Sequence, residues 1–435
     1  MTSYSATYAA LFDSVRNGRR ILHKSLTATR FGKNLLAFGG AEMAIKLSRI
    51  VAIIFVARSL SAEAMGAAAI CLSCHELIRL LTNNGVSQFV IRSEAQVLEV
   101  ASARAHQLNW VFCLSAALIQ VCVGAVTALL FNDGAYLAMG AALSLVFVGM
   151  PFGLVRIFRA MRRNRMDIVA RINMFQVSAD NILCLVLAVS GFGAWALVAP
   201  KILTFPIWLV LARRSDDWTP SDRPQYAPLS STLAFCLPIL MTESVKGLRL
   251  HVDKLLIGGL LGVEALGVYY FAYSCGLGFS QTLTTAFASV VYPHLCNKAR
   301  ENQDMVAHWR QVAGWAFACG LCVFGAQAAA AQFYVPIVFG VQWTTAAPIA
   351  AILCLAAPPR LLGECASQLA RATGVTQAET RYFVLSSILS IAAITVGAAM
   401  AGLIGAAVGL ALGAWICEAI FVQRIYSIAA GEARA

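Results

Sequence analysis

Glu42-Met-Ala-Ile-Lys-Leu-Ser-Arg49, early in the first apolar run, and Glu243-Ser-Val-Lys-Gly-Leu-Arg249, 201 residues later, decide how the chain is read. Each places three charges where a lipid-spanning helix should carry none. A charge near the bilayer centre costs ~2.5–3.5 kcal/mol on insertion scales. Three in one span, twice over, make sense only where both helices face a wet interior cavity. The flanking sequence repeats at the same offset, with identities at Leu47/Leu248, Val51/Val252, Leu60/Leu261, Glu63/Glu264, Ala64/Ala265, Gly66/Gly267, Ser73/Ser274 and Cys74/Cys275. A duplicated membrane bundle with a polar, cationic middle reads as a transporter.

Composition agrees with a membrane protein. Hydrophobic residues make up 59% of the 435-residue chain and charged ones 12%, against roughly 45–50% and 25% in soluble domains. Apolar runs of about 20 residues fall near 35–58, 66–91, 108–130, 135–158, 172–190, 194–212, 229–258, 266–291, 311–334, 345–369, 382–400 and 402–423. The expected fold is therefore an all-α polytopic membrane protein with twelve transmembrane helices. Six spans return the chain to its starting side. The halves then form two six-helix lobes related by a pseudo-two-fold axis along the membrane normal.

Basic residues set the orientation. The segment 1–34 carries Arg16, Arg19, Arg20, Lys24, Arg30 and Lys33 and no signal-like apolar core, and reads as a basic arm along the anionic leaflet. Together with alternate connections and the tail it holds 23 of the 33 Lys and Arg residues. The positive-inside rule puts both termini in the cytoplasm. The expected organisation is a basic arm 1–34, an N-terminal lobe 35–212, a cytoplasmic linker 213–228, a C-terminal lobe 229–424 and a cytoplasmic tail 425–435.

Glu42, Lys46 and Arg49 share one helix face at i, i+4 and i+7, and Glu243, Lys246 and Arg249 nearly do so. Each glutamate can pair with the lysine one turn on, which leaves Arg49 and Arg249 to a ligand. A guanidinium fork matches phosphate oxygens in two-point contact, so Arg49 and Arg249, with Lys46 and Lys246, are the candidate pyrophosphate or headgroup residues. Glu42, Glu243 and Asp253 are candidates for ion coupling or charge pairing. Glu76 with Arg79, and Arg360 with Glu364, are helix-spaced pairs and secondary cavity candidates. Asp180, Lys201, Asp253, Lys254 and Glu418 are isolated in sequence, each a cavity residue or a helix tether. Permanent ion pairs that merely hold the lobes together are the bland alternative for the whole constellation.

Cys71-x-x-Cys74 beside His75, and Cys319-x-x-Cys322, lie within apolar runs, where cysteine behaves as a small hydrophobe. No metal site is read there, and no phosphate-binding Gly-x-x-x-x-Gly-Lys loop occurs. Neither a cofactor, an enzymatic activity nor a nucleic-acid partner is expected.

Three stretches resemble the bacterial polysaccharide (Wzx-type) flippases of the multidrug/oligosaccharidyl-lipid/polysaccharide exporter superfamily. They are Val56-Ala-Arg-Ser-Leu-Ser-Ala-Glu-Ala-Met-Gly66, Gly191-Phe-Gly-Ala-Trp-Ala-Leu-Val198 and Asp253-Lys-Leu-Leu-Ile-Gly-Gly-Leu-Leu-Gly-Val-Glu-Ala-Leu-Gly-Val-Tyr269. The resemblance implies movement of an undecaprenyl-diphosphate-linked oligosaccharide across the bacterial inner membrane, with the polymerase and glycosyltransferases of the same pathway as partners. The substrate's polyprenyl tail stays among membrane lipids. The competing readings are a drug/cation antiporter of the same superfamily and a membrane-embedded polysaccharide polymerase or ligase. A cation-rich cavity argues against the first, and short outward connections against the second.

The orientation is tested by reporter fusions. Activity is expected outside at positions 62, 133, 192, 262 and 340, and inside at 100, 165, 220, 302 and 375. An inside signal at 262 breaks the duplicated-lobe arrangement, because that turn mirrors the one at 61.

Overall fold

The computed structural model describes residues 45–432 except 47, 83–84, 164, 222–224, 302–303 and 374–375. The arm 1–34 and Glu42 lie outside the described residues. What is described is almost wholly helical. In the first half, α1 covers 48–59, α2 Ala62–Arg79, α3 Val86–Arg92 and α4 Leu98–Phe131. These are followed by α5 Ala135–Gly149, α6 Pro151–Arg162, α7 Met166–Val189, α8 Trp195–Leu203 and α9 Phe205–Arg213. In the second half, α10 covers Leu229–Leu261, α11 Val263–Arg300, α12 Met305–Tyr334, α13 Ala347–Leu355, α14 Ala357–Ala372 and α15 Thr376–Glu432.

Local chemistry explains the punctuation. Ser61 caps α2 by accepting from the Ala64 amide, and Asp304 caps α12 by accepting from Val306 and Ala307, satisfying amides that have no intrahelical partner. Asn132 ends α4 in the left-handed region, and Asp133 Oδ1 then accepts from the Ala135 amide to start α5. The long α15 is two helices joined at Ala401 and Gly402, where the backbone leaves helical geometry; the break falls between the apolar runs 382–400 and 402–423. A 50° bend at Met150 separates α5 from α6. Among the described residues, seven helices are long and apolar enough to cross a membrane, or eight if the bent pair is one span.

The two halves meet where the repeat predicts equivalence. α2 and α11 cross at Gly66 and Gly267, and the contact is reciprocal. A Cβ on Gly66 would collide with the Val263 carbonyl, and one on Gly267 with the Ala62 carbonyl. Ala62 and Val263 are themselves 201 residues apart. Small residues let helix backbones approach this closely. Around the crossing, buried side chains of both halves, among them Met65, Ile70, Leu266 and Phe271, form one continuous core.

The same end of the molecule is sealed by polar contacts to backbone carbonyls. Arg58 donates from Nε to Val338 O at 2.8 Å and from Nη2 to Ile337 O at 3.0 Å. Gln342 Nε2 and Trp343 Nε1 both donate to Ala57 O, at 2.5 and 2.6 Å. Trp343 stacks on Phe271 with ring centroids 4.2 Å apart. The end of α1 is thus fastened to the turns between α12 and α13.

At the opposite end the connection between the halves is held against the first half. Buried Asp216 accepts from Arg159 at 3.2 Å and pairs with Arg163 at 2.8 Å. Glu99 accepts from Arg159 and from the Trp218 indole. Arg104 donates to Ala227 O and covers the Tyr226 ring. The first turns of α10 follow suit: Cys236 is buried among Val86, Val90 and Ala105, and Leu80 packs against Gly247.

Filling the crossing should open the sealed end. Gly66→Val or Gly267→Val adds atoms to a backbone contact, at about 1–3 kcal/mol by the cost of overpacking. Labelling of the buried native thiols Cys71 and Cys275 by a membrane-impermeant maleimide is expected to rise in both variants. Labelling equal to that of the unsubstituted protein would mean that the crossing is not what closes this end.

Candidate functional site: a cationic cavity between the halves

Beneath the seal lies a cavity of about 600 Å³, lined by α1, α2, α7, α8, α10 and α11. Arg49 enters it from α1, Glu76 and Arg79 from α2, and Asp180 and Asn181 from α7. Lys201 comes from α8, His251 and Lys254 from α10, and Tyr270 and Tyr273 from α11. Among the described residues, four cations therefore line the cavity against two carboxylates. Such a surplus suits an anionic ligand.

On the first half, Arg79 pairs with Glu76 one turn earlier at 2.7 Å, and Lys201 Nζ pairs with Asp180 Oδ2 across two helices at 2.7 Å. Asn181 donates to Ser48 Oγ at 2.9 Å, tying α7 to the helix that carries Arg49. His75 is buried behind Glu76, its ring 4.7 Å from that of Phe147. On the second half, Lys254 Nζ lies 3.2 Å from Asp253 Oδ1 and 4.2 Å from the centre of the Tyr273 ring. Asp253 also accepts from the Tyr269 hydroxyl at 3.1 Å. Arg360 of α14 sits beside Tyr273, Tyr269 and Glu418, and Glu418 in turn lies against Gly363. Each carboxylate in these clusters is answered by a cation or a hydroxyl, as burial in a low-dielectric medium requires.

The residues singled out by sequence divide accordingly. Arg49, Glu76 and Arg79 line the cavity. Lys46, just before α1, and Glu243 on α10 are half-buried and do not line it. Asp253 is buried beside Lys254. Lys246 and Arg249 lie on the helical backbone of α10, and their side chains are outside what is described. Arg360 and Glu364 lie together on α14 without pairing through the contact their spacing suggests. Glu364 accepts from Gln368 Nε2 at 2.6 Å, and Arg360 points to the tyrosines of α11.

In the sequence Asp180 and Lys201 stand as isolated charges, and no pattern marks His251, Tyr270 or Tyr273. A signal for the first pair was available. Asp180 precedes the Gly191-Phe192-Gly193 turn and Lys201 follows it, so at 1.5 Å per residue both lie roughly 14–18 Å below the turn. Opposite charges at matching depth on consecutive antiparallel helices are a pair. The tyrosines carried no such mark, because aromatic residues on an apolar helix read as core.

Comparison with known proteins places this architecture. Residues 55–348 match the family model described as polysaccharide biosynthesis protein. The lipopolysaccharide biosynthesis protein WzxC of Escherichia coli K12 is 22% identical over 378 residues, covering 83% of this chain and 74% of WzxC. An uncharacterized membrane protein in the cps region of Klebsiella pneumoniae is 21% identical over 288 residues, covering 64% of this chain and 57% of that protein. Among solved structures, an inward-facing multidrug-resistance MATE transporter of the MOP superfamily superposes with a TM-score of 0.72 at 11% identity, covering 89% of this chain and 95% of the transporter. The lipid II flippase MurJ in an inward closed conformation also gives 0.72 at 11% identity, covering 90% and 87%. An outward-facing MATE structure gives 0.60. The family model spans well over half of the sequence, so this chain belongs to the polysaccharide biosynthesis protein family, and it shares its fold with a MATE transporter and with MurJ.

Proposed function

We propose that the protein moves a lipid-linked oligosaccharide, joined to its polyprenyl carrier through a diphosphate, across the bacterial inner membrane by alternating access. The observation that carries this reading is the cavity itself, cation-rich, enclosed by helices of both halves and sealed at one end. A sugar diphosphate is large, polar and anionic. It needs wet space and fixed positive charge, while the tail can remain in lipid. The transfer needs no covalent chemistry, only two arrangements of the helices with different exposure of the site.

The twelve-span, two-lobe arrangement belongs to this proposal. Its support is the reciprocal contact of Gly66 and Gly267 at the repeat offset, which is what an axis along the membrane normal would produce. With both termini in the cytoplasm, as the basic residues suggest, the sealed end faces the periplasm and the substrate enters from the cytoplasmic side. The substrate's origin and fate imply glycosyltransferases before this step and a polymerase after it. The MATE likeness is one of fold alone, and a surplus of cavity cations disfavours a cationic drug.

Arg49 is the first headgroup residue of the proposal, with Lys46, Lys246 and Arg249 retained beside it. Arg49→Ala and Arg249→Ala are each expected to abolish polymer export while the protein still accumulates in the membrane. Arg49→Lys should restore little, since a point charge lacks the two-point geometry. Loss of accumulation would instead make these arginines structural tethers.

Glu243 and Asp253 are the proposed coupling carboxylates. Asp253, held by Lys254 and Tyr269, would change the charge of its surroundings by one unit on taking a proton. Transport in proteoliposomes is then expected to respond to an imposed proton or sodium gradient, and to lose that response in Glu243→Gln or Asp253→Asn. Rates indifferent to both gradients take the two residues out of the coupling.

A further inference from the structure

The cations of the cavity are not equivalent. Lys254 is enclosed: its side chain is 7% exposed, its ammonium beside Asp253 and over the Tyr273 ring. It ties α10 to α11 and has little surface to offer a ligand. Lys201 is placed differently. Its side chain is 38% exposed although it stands deep in the bundle, and the exposed surface faces the cavity. Its partner Asp180 is 7% exposed, behind it.

An ammonium has three donors. Lys201 directs one to Asp180 Oδ2, and its exposed surface lines the cavity. Asp180 Oδ1 is buried with no hydrogen-bond partner, so the carboxylate is held by its lysine rather than by a wider network. The backbone also holds Lys201 in place. Pro200 precedes it and cannot donate to the helix ladder, and Thr204 Oγ1 donates to the Pro200 carbonyl where α8 gives way to α9. The other charged or titratable groups around this pocket are Arg49 on α1, the Glu76–Arg79 pair on α2 with His75 buried beside Glu76, and His251 and Lys254 on α10. Arg79 uses both Nε and Nη2 on Glu76 of its own helix.

We infer that Lys201 of α8, with Arg49 of α1, forms an anion site for a phosphate-bearing headgroup on the first half of the molecule, and that Asp180 is its positioning residue. The inference rests on the flippase reading above and changes its geometry. On the first half the headgroup is gripped by α1 and α8, which α7 joins through Asn181–Ser48 and Asp180–Lys201, so that Lys201 adds to Arg49 a cation that the repeated triads do not contain. Asp180 both orients the ammonium and competes with the ligand for it. The ligand chemistry is a phosphate or diphosphate anion, from a lipid carrier or free in solution.

The test is binding of farnesyl diphosphate to the purified full-length protein in nanodiscs, with farnesyl monophosphate and inorganic pyrophosphate as comparison probes. Lys201→Ala is expected to weaken diphosphate binding about tenfold, the worth of a charge-assisted hydrogen bond, and Lys201→Arg to retain most of it. Asp180→Asn should tighten binding by several-fold, because it removes a competing charge while leaving the lysine. A purely structural ion pair predicts that Lys201→Ala and Asp180→Asn both weaken binding, and that result overturns the inference. Should Lys201→Ala fail to fold, the double variant Lys201→Gln with Asp180→Asn keeps a neutral hydrogen-bonded pair and must also bind weakly. Undiminished binding in it defeats the inference while leaving the flippase reading intact. If the unsubstituted protein binds none of the probes, both readings fall. Pyrophosphate binding as tight as farnesyl diphosphate assigns the site to a free anion and overturns the lipid-linked source.

Discussion

Removing a charge from water costs several kcal/mol, and its return depends on a partner held at close range. That constraint organises the interior of this protein. Glu76 with Arg79, Asp180 with Lys201, and Asp253 with Lys254 and Tyr269 each confine opposite charge within about one residue's breadth. Asp180–Lys201 and Asp253–Tyr269 run between helices and so also set helix register. The pairs differ in what they leave over: the α11 tyrosines close around Lys254, whereas Lys201 and Arg79 keep surface toward the cavity.

The second constraint is steric. With lipid on the outside, apolar surface alone gives helices little reason to prefer one another, and close backbone approach takes over. The crossing of Gly66 and Gly267 supplies it, and carbonyl-directed donors from Arg58, Gln342 and Trp343 fix the surrounding turns. Cavity and seal are therefore built from the same elements. α2 and α11 bring Gly66 and Gly267 to the crossing, and Glu76 and Tyr273 from the same helices stand in the cavity below it.

Much of this was legible in the sequence, for identifiable reasons. Helices follow from long apolar runs, and the breaks at 132–134, 191–193 and 401–402 from turn residues with local hydrogen-bonding or left-handed propensity. The Gly66/Gly267 match pointed to equivalence, although nothing in a one-dimensional pattern says that equivalent glycines touch. Charges inside apolar runs announced a polar interior, and of those singled out Arg49, Glu76 and Arg79 line the cavity. Spacing along one helix finds the Glu76–Arg79 pair but not the partners of every charge. Arg360 turns to tyrosines of another helix instead of Glu364, and Arg159 is buried against Asp216 of the connecting segment. Helical spacing lists neighbours on one rod, whereas partners here come mostly from the next.

The clamp on the connecting segment has a mechanical consequence. Asp216, Trp218, Tyr226 and Ala227 are all held to the first half, and Phe235, Cys236 and Gly247 pack on it as well. Farther along the same helix, Ile257 is part of the core shared by both halves. The slack that a fifteen-residue connection would ordinarily provide is thus taken up before α10 begins. In the proposed rocking cycle, α10 would work as a cantilever, anchored at one end and loaded at the other, with Pro238 lowering its stiffness near the anchor. The elastic element would then be a helix, and lengthening the connection would leave its spring constant untouched.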